Sequence, residues 1–564
     1  MTVIPANYPP PFRASDYVVK PKAPEDERIE VGVLFVGGGP AGLAGAIRLG
    51  QLLAEAPDLA EQLGEVPIAV VEKGKGPGSH LLSGAVVRPG PLRALFPDGG
   101  TDAIPRFGDV SAEAVYALTK SQALRLPTPP DMRNHGNWVL SISQLGRWMA
   151  AQAEELGAYL LPETDAQKLL VKDARVHGVL TGDKGRGREG EELPNFEPGV
   201  ELHAQVTVLS EGTQGHLTGV ASKHFHLEGP SPQIYALGVK EIWEVPTPLG
   251  RIVHTLGWPL RRARKHREFG GSFIYPMGDN MVSIGFVVGL DYADATLSCH
   301  DLLQELKSHK LVRAILEGGK RIAWGAKTIP EGGYYAMPRR LHVPGAIIAG
   351  DSAGFVNVPA LKGVNYAVHS GILAAEAIFE SLQRGKLTTP AGLWGYDTRV
   401  RESFIWKDLF RTRNMRPAFQ KGFYYGLAVG GMATGTMGKL PKRVVFKADA
   451  KEPVFLGDRA ASYPKPDGKY FFDKLSSVFL SGNKTRDDQP NHIRIQRKVP
   501  RELAVSWDWM CPAKVYEIED DEPRSGTVTV RINASNCVQC GAITAKGGRL
   551  TPPEGGSGPE YTLT

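Results

Sequence analysis

Residues 31–36 read VGVLFV and residues 37–42 read GGGPAG, and this junction decides the fold. The apolar run suits a parallel strand buried on both faces. Gly37, Gly39 and Gly42 occupy the three positions of G-x-G-x-x-G. The first glycine permits the tight turn, the second lets the backbone approach a pyrophosphate, and the third lets a helix pack closely on its strand. The next stretch, LAGAIRLGQLLAEA, carries a helical apolar pattern whose free N–H groups face the anion. A second apolar run, Ile68–Val71, ends at Glu72, placed to accept from ribose hydroxyls. Glu72 lies 30 residues beyond Gly42, against a usual gap of roughly 20. Residues 55–67 therefore read as a lengthened helix and loop. Strand, glycines, helix, strand and acid together predict a dinucleotide site.

A second segment far downstream selects the nucleotide. Residues 345–350 read GAIIAG, followed by Asp351-Ser352-Ala353-Gly354. A strand ending in Gly350-Asp351 before a glycine-containing helix start is a flavoprotein pattern, which a simple NAD enzyme does not need. It predicts FAD bound by a nucleotide fold interrupted in sequence, with both segments in one sheet. Asp351 faces the ribityl or pyrophosphate region, Gly350 and Gly354 shape the turn, and a helix from about Lys362-Gly363 aims its positive end at the isoalloxazine. Ser83 and Gly84, in LLSGAVV, wrap the flavin, and Glu211-Gly212 break the strand ELHAQVTVL near the adenine.

Composition excludes several classes. The chain has 564 residues, 42% hydrophobic and 22% charged, as befits a folded body. Four cysteines exclude a disulfide scaffold. No run approaches about 18 apolar residues, so no spanning helix is expected. The net charge of +6 is a weak bias, and no nucleic-acid recognition module accompanies it. The basic run 261–267 reads as a solvated face, and residues 1–29 as an extended lead-in.

Residues 139–156 predict an amphipathic helix capped by Ser141 or Ser143. Residues 270–290 predict a hairpin turning at 276–280, the floor of a substrate domain. Cys299, inside SCHDLLQELKSH, reads as an inert thiol. Cys511-Pro512 and Cys537-Val538-Gln539-Cys540 fall in the last 60 residues. A redox dithiol or a zinc site is an alternative, but the turn-rich surroundings and the Cys-Pro pair point to a ferredoxin-like cluster loop. A [4Fe–4S] cube takes four ligands, and three thiols are at hand.

The chain resembles the electron transfer flavoprotein–ubiquinone oxidoreductase family. VGGGPAGLAGAIRL, HLLSGAVVRP, NHGNWV, GGSFIYP and AGFVNVPALKG carry the likeness in the front, and YPKPDGKYFFDKLSSVFLSG, NCVQC and PEGGSGPEY in the tail. The resemblance implies an α/β FAD-binding Rossmann-like domain split over 30–165, 166–225 and 341–440. It implies an inserted α+β quinone-binding domain at 226–340 and a C-terminal ferredoxin-like iron–sulfur domain at 441–564. Stretches near 115–138 and 420–437 correspond to membrane-facing surface, and Gly270 and Gly271 to the quinone headgroup region. Implied partners are electron transfer flavoprotein, a quinone (ubiquinone or menaquinone) and a membrane surface held monotopically. Electron transfer needs no nucleophile or general base, so no catalytic residue is assigned.

The departure lies at Ile543, where the family motif places a further cysteine after Cys537 and Cys540. A [4Fe–4S] cluster with a non-cysteine fourth ligand, a [3Fe–4S] cluster, and a lost cluster all stay open, as does an altered sequence. Alternatives for function are a related reductase fed by a ferredoxin-like donor, or a flavin-only quinone reductase. The expected location is the cytoplasmic face of a bacterial inner membrane.

Overall fold

The computed structural model describes residues 2–97, 99–439, 443–519 and 526–564. The domain boundary expected between 440 and 441 lies outside the described residues. The strand Ile29–Val36 sits inside a nine-stranded sheet, parallel to Ile68–Val71 on one side and to Glu201–Leu209 on the other. Ala346–Ile348 joins parallel to the far half of Glu201–Leu209. The two nucleotide segments thus share one sheet although residues 37–345 intervene. Val33, Leu34 and Phe35 are fully buried, as the apolar run requires.

Helix Pro40–Ala54 follows the glycines and packs on helix Val364–Gln383, which follows the returning strand. The two meet at backbone contact: a Cβ on Gly371 would stand 2.1 Å from the Ala41 carbonyl oxygen. The short helix Pro57–Glu61 occupies the lengthened connection to Glu72. Ser141 caps helix Ile142–Glu155, accepting from the Gln144 N–H.

A second sheet has seven strands, ordered Lys320–Pro330, Tyr235–Glu244, Met281–Gly289, Gly270–Pro276, Ile252–Gly257, Glu113–Leu118 and Ala123–Leu126. The hairpin expected at 276–280 joins Gly270–Pro276 to Met281–Gly289. Glu113–Leu118 is a half-buried strand of this sheet, with Ala114, Val115 and Leu118 inside, while Leu124 beside it is 66% exposed. Helix Cys299–Lys307 lies behind, and the buried Cys299 thiol contacts the Leu237 and Phe286 carbonyls.

Two readings of loops change. Within residues 1–29, Thr2–Val3 pairs with Val454–Phe455, and Val18–Val19 with Ala166–Lys172. The basic run is not wholly solvated: Arg261 donates to Glu268 and Asp294. Both carboxylate side chains are fully buried, and a buried anion demands a cation.

The tail builds a small unit from helix Arg501–Met510 and strands Lys498–Pro500, Thr527–Ile532 and Tyr516–Glu519. It then runs back to the nucleotide fold. The Tyr561 N–H donates to the Ser79 carbonyl, and the Thr564 carbonyl accepts from Ser141 and Ser143 hydroxyls.

Candidate functional site

A cavity of about 370 Å³ opens where the two sheets meet. Its wall on the nucleotide side includes Gly37, Gly39, Glu72, Ser83, Gly84, Glu211, Gly212, Asp351, Lys362 and Gly363. Its other wall is the second sheet, through Gly238, Lys240, Phe273, Tyr275, Val287 and Lys327. Gln539, Gly541, Leu550, Thr551 and Pro552 of the tail close it.

The glycine roles separate cleanly. Gly37 has φ of +110°, a left-handed turn that favours glycine. A Cβ on Gly42 would meet the Gly37 carbonyl oxygen at 2.2 Å, so Gly42 serves helix packing and stays outside the cavity wall. A Cβ on Gly39 would find only Leu81, at 3.7 Å, so its open side is left to a ligand. Gly350 and Gly354, both with positive φ, shape the turn beside Asp351 without lining the cavity. Gly270 and Gly271 also lie off the cavity wall. Cβ atoms there would meet carbonyl oxygens of Val287 and Thr255 at 2.0 and 2.3 Å, so these glycines admit close strand neighbours.

The acids are differently employed. Glu72 accepts from the Gly38 N–H at 3.0 Å and the Gly74 N–H at 2.7 Å, which fixes it at the end of its strand. Glu211 caps helix His216–His224, accepting from the Leu217 and Thr218 N–H groups and the Thr218 hydroxyl. Asp351 accepts from the Thr213 hydroxyl, and burial lifts its carboxyl to about 6. His80 is buried against the Ser557 carbonyl and, held well below its ordinary pKa by desolvation, is neutral.

Four lysines line the cavity: Lys240 and Lys362 are buried, Lys73 and Lys327 half-buried. Burial lowers Lys240 and Lys362 to about 7 and Lys327 to about 8. Lys240 donates to the Ser83 carbonyl at 2.8 Å. Lys73 donates to Gln539 Oε1 at 2.6 Å, and Lys327 to the Gln539 carbonyl at 3.2 Å. Of these lysines only Lys362 was read from sequence. Lys240 and Lys327 do not stand out in the sequence, because their strands carry other charges, Glu241 and Glu244 in one and Lys320 and Arg321 in the other. The cavity thus offers a glycine cradle, helix N-termini and lysines to a large dianionic dinucleotide, and FAD fits it.

Tyr275 lines the same cavity, and its hydroxyl lies 2.7 Å from His254 Nε2. Burial drives His254 down to about 3, so this ring is neutral.

Cys511, Cys537 and Cys540 line one small separate cavity, with Ile543 on its wall. Among the described residues no three His, Cys, Asp or Glu side chains are set to hold a single metal ion. Thiols spread around a common void suit a polynuclear core instead. Backbone N–H groups of Val515 and Gln539 point at the Cys511 and Cys537 sulfurs, each at 3.4 Å. Burial disfavours all three thiolates, a cost that bound iron offsets. Three thiols fit an iron–sulfur core, but the four-cysteine set of a cube is incomplete, because Ile543 cannot ligate iron.

Comparison with known proteins agrees with this geometry. Residues 235–329 match the ubiquinone-binding domain of ETF-QO, and residues 468–562 match the 4Fe-4S domain of electron transfer flavoprotein-ubiquinone oxidoreductase. The chain is similar to the mitochondrial electron transfer flavoprotein-ubiquinone oxidoreductase of Arabidopsis thaliana, 39% identical over 95% of this chain and 85% of that one. The protein of that name from Homo sapiens is 38% identical over 94% and 89%. Among solved structures, a geranylgeranyl bacteriochlorophyll reductase-like protein of Thermoplasma acidophilum superposes with a TM-score of 0.55 at 16% identity, covering 75% of this chain and 95% of that one. A myxobacterial FAD-dependent halogenase, CndH, gives 0.50 at 15%, covering 75% and 95%. These two show the fold, an FAD-type Rossmann-like architecture. The expected bacterial inner-membrane location is corrected: the curated relatives that cover nearly the whole chain are mitochondrial proteins of eukaryotes. Nucleotide fold, quinone-binding sheet and iron–sulfur tail occur here in one chain, with relatives 38–39% identical over 94–95% of it, and the chain belongs to the electron transfer flavoprotein–ubiquinone oxidoreductase family.

Proposed function

We propose that this chain takes electrons from reduced electron transfer flavoprotein and delivers them to ubiquinone at a membrane surface. One observation carries the reading: a single cavity is walled by the dinucleotide fingerprint, the quinone-domain strands and the Cys537–Cys540 loop. When bound, FAD supplies a centre that takes up and passes on electrons singly. Gly37, Gly39 and the N-terminus of helix Pro40–Ala54 would hold the pyrophosphate, and Glu72 and Asp351 would orient the sugars. Lys362, ahead of helix Val364–Gln383, and the N-terminus of that helix would favour negative charge on the bound group. Neutral His254 keeps a proton shared with the Tyr275 hydroxyl on the quinone side of the cavity. Apolar Phe273 and Val287 keep that face dry. The domain limits given above are our assignment.

Membrane contact is supported by helix Phe423–Gly435. Tyr424, Tyr425, Leu427 and Met432 are exposed on it, and Lys421 lies just before it. Among the described residues no helix is long and apolar enough to cross a membrane. A helix lying in the interface meets a substrate dissolved in lipid without spanning. The test is ubiquinone reduction by the purified protein with enzymatically reduced electron transfer flavoprotein. Turnover with that donor and none with NADH is expected; NADH-driven turnover would reassign the donor.

A further inference from the structure

The tail's small cavity gathers three sulfurs and closes on hydrocarbon. Cys511 follows helix Arg501–Met510, and Cys537 and Cys540 flank the pair Val538-Gln539. Gln539 adopts φ of +51°, uncommon for a non-glycine residue, and this bend lets Cys537 and Cys540 face one void. In C-x₂-C-x₂-C iron–sulfur loops a further ligand falls three residues on. Here that position is Ile543, 3% exposed, in the turn Ala542–Ala545 and on the cavity wall. Its side chain is seated among apolar neighbours: a Cβ on Gly548 would stand 2.4 Å from Ile543 Cγ1 and 2.8 Å from Ile495 Cγ2. Ile543 is a core residue with no lone pair to offer iron.

The chain has one more cysteine, and by count alone it completes a set of four. Cys299 also belongs to the apolar core that contains Cys511 and Cys537. The fold turns its thiol elsewhere. Cys299 opens helix Cys299–Lys307, and its thiol donates to the Leu237 and Phe286 carbonyls at 3.2 and 3.3 Å. It does not line the cavity. A thiolate cannot donate, so recruiting Cys299 to iron would forfeit both contacts. All four cysteines are described residues, so the thiolate set is fully accounted for: three at the void and one away from it. The matching family model describes a 4Fe-4S domain, and a cube bound wholly by cysteines takes four. Family and chain differ by one thiolate.

We propose that the iron–sulfur core of this tail is held by three thiolates, those of Cys511, Cys537 and Cys540, so that the site is not a four-thiolate cube and falls short at position 543. The proposal rests on the tail being an iron–sulfur domain. Cys299 is a packing residue of the second sheet.

The experiment uses anaerobically purified holoprotein. Iron, acid-labile sulfide and FAD are counted per chain, and an electron paramagnetic resonance spectrum is recorded after dithionite. Cys299→Ala is expected to keep the parent's iron, sulfide and spectrum. Cys511→Ser, Cys537→Ser and Cys540→Ser are each expected to lose most of the iron and sulfide. Ile543→Cys is expected to keep its iron and to show an altered spectrum, because a fourth thiolate joins the set. Loss of iron and sulfide in Cys299→Ala, with FAD content and melting temperature as in the parent, would make Cys299 the missing ligand and overturn the proposal. Should that variant fail to fold, Cys299→Val, closer in volume, decides the same point. Full iron retention by any of the three serine variants also overturns it. So does an Ile543→Cys spectrum identical to the parent's, or a parent without iron and sulfide. Ubiquinone reduction is assayed separately, so a failed donor or acceptor assignment leaves the metal counts standing.

Discussion

Lys73 Nζ lies 2.6 Å from Gln539 Oε1, so the residue after Glu72 grips the loop between Cys537 and Cys540. Lys327, from the second sheet, holds the carbonyl of the same glutamine. Two half-buried lysines therefore stand between the cavity and the thiols. Buried positive charge stabilises a reduced, more negative centre. Lys73→Met is expected to lower the cluster potential by some tens of millivolts, read by a redox titration under paramagnetic resonance, with FAD content retained. An unchanged potential would leave Lys73 a purely mechanical tie.

The contact of Gly371 with the Ala41 carbonyl sets the spacing of the two helices that carry the nucleotide segments. Gly371→Ala is expected to cost about 1–3 kcal/mol by overpacking. A melting temperature lowered by several degrees and a reduced FAD-to-protein ratio would report it. Gly430→Ala, inside an exposed helix with open space around it, is the control and should lower neither value.

Lys240 gives stability a pH dependence of known sign. Its amine titrates at about 7 in the folded protein, because burial opposes charge, and near 10.5 when unfolded. The unfolded chain therefore binds more protons between these values, and stability rises with pH across that window. Below about 7 the penalty is full, up to about 4 kcal/mol. Lys240→Met is expected to stabilise the protein at pH 6.5 and to lose that advantage as the pH approaches 10. Parallel denaturation curves at both values check it.

For membrane contact, Leu427→Asp with Met432→Asp should abolish flotation with anionic vesicles. Each side chain contributes about 1.5–3 kcal/mol of apolar burial, so partitioning falls at least tenfold. Melting temperature and FAD content should stay as in the parent, since both residues are exposed. Retained flotation would move the membrane face elsewhere.

The nucleotide fold was legible because its signals are local. A buried strand, three glycines at fixed spacing and the Gly350-Asp351 return each state a backbone geometry within a few residues. The departure at Ile543 was legible only against the family motif, which places a cysteine there; the void beside it came with the structure. The lysines at 73, 240 and 327 were not, because burial of a long polar side chain is decided by segments hundreds of positions apart. Glu211 shows the converse. Its position after a strand was plain, but its employment as a cap emerged only once helix His216–His224 was in place. Gly270 and Gly271 likewise read as ligand neighbours, whereas their small size admits adjacent strand carbonyls.

The return of the tail to the first domain orders events in time. Residues 37–42 leave the ribosome early, yet Leu550, Thr551 and Pro552 complete the cavity they begin. Flavin capture therefore waits on nearly the entire chain, and a nascent polypeptide stalled before residue 550 presents an open, sticky cleft.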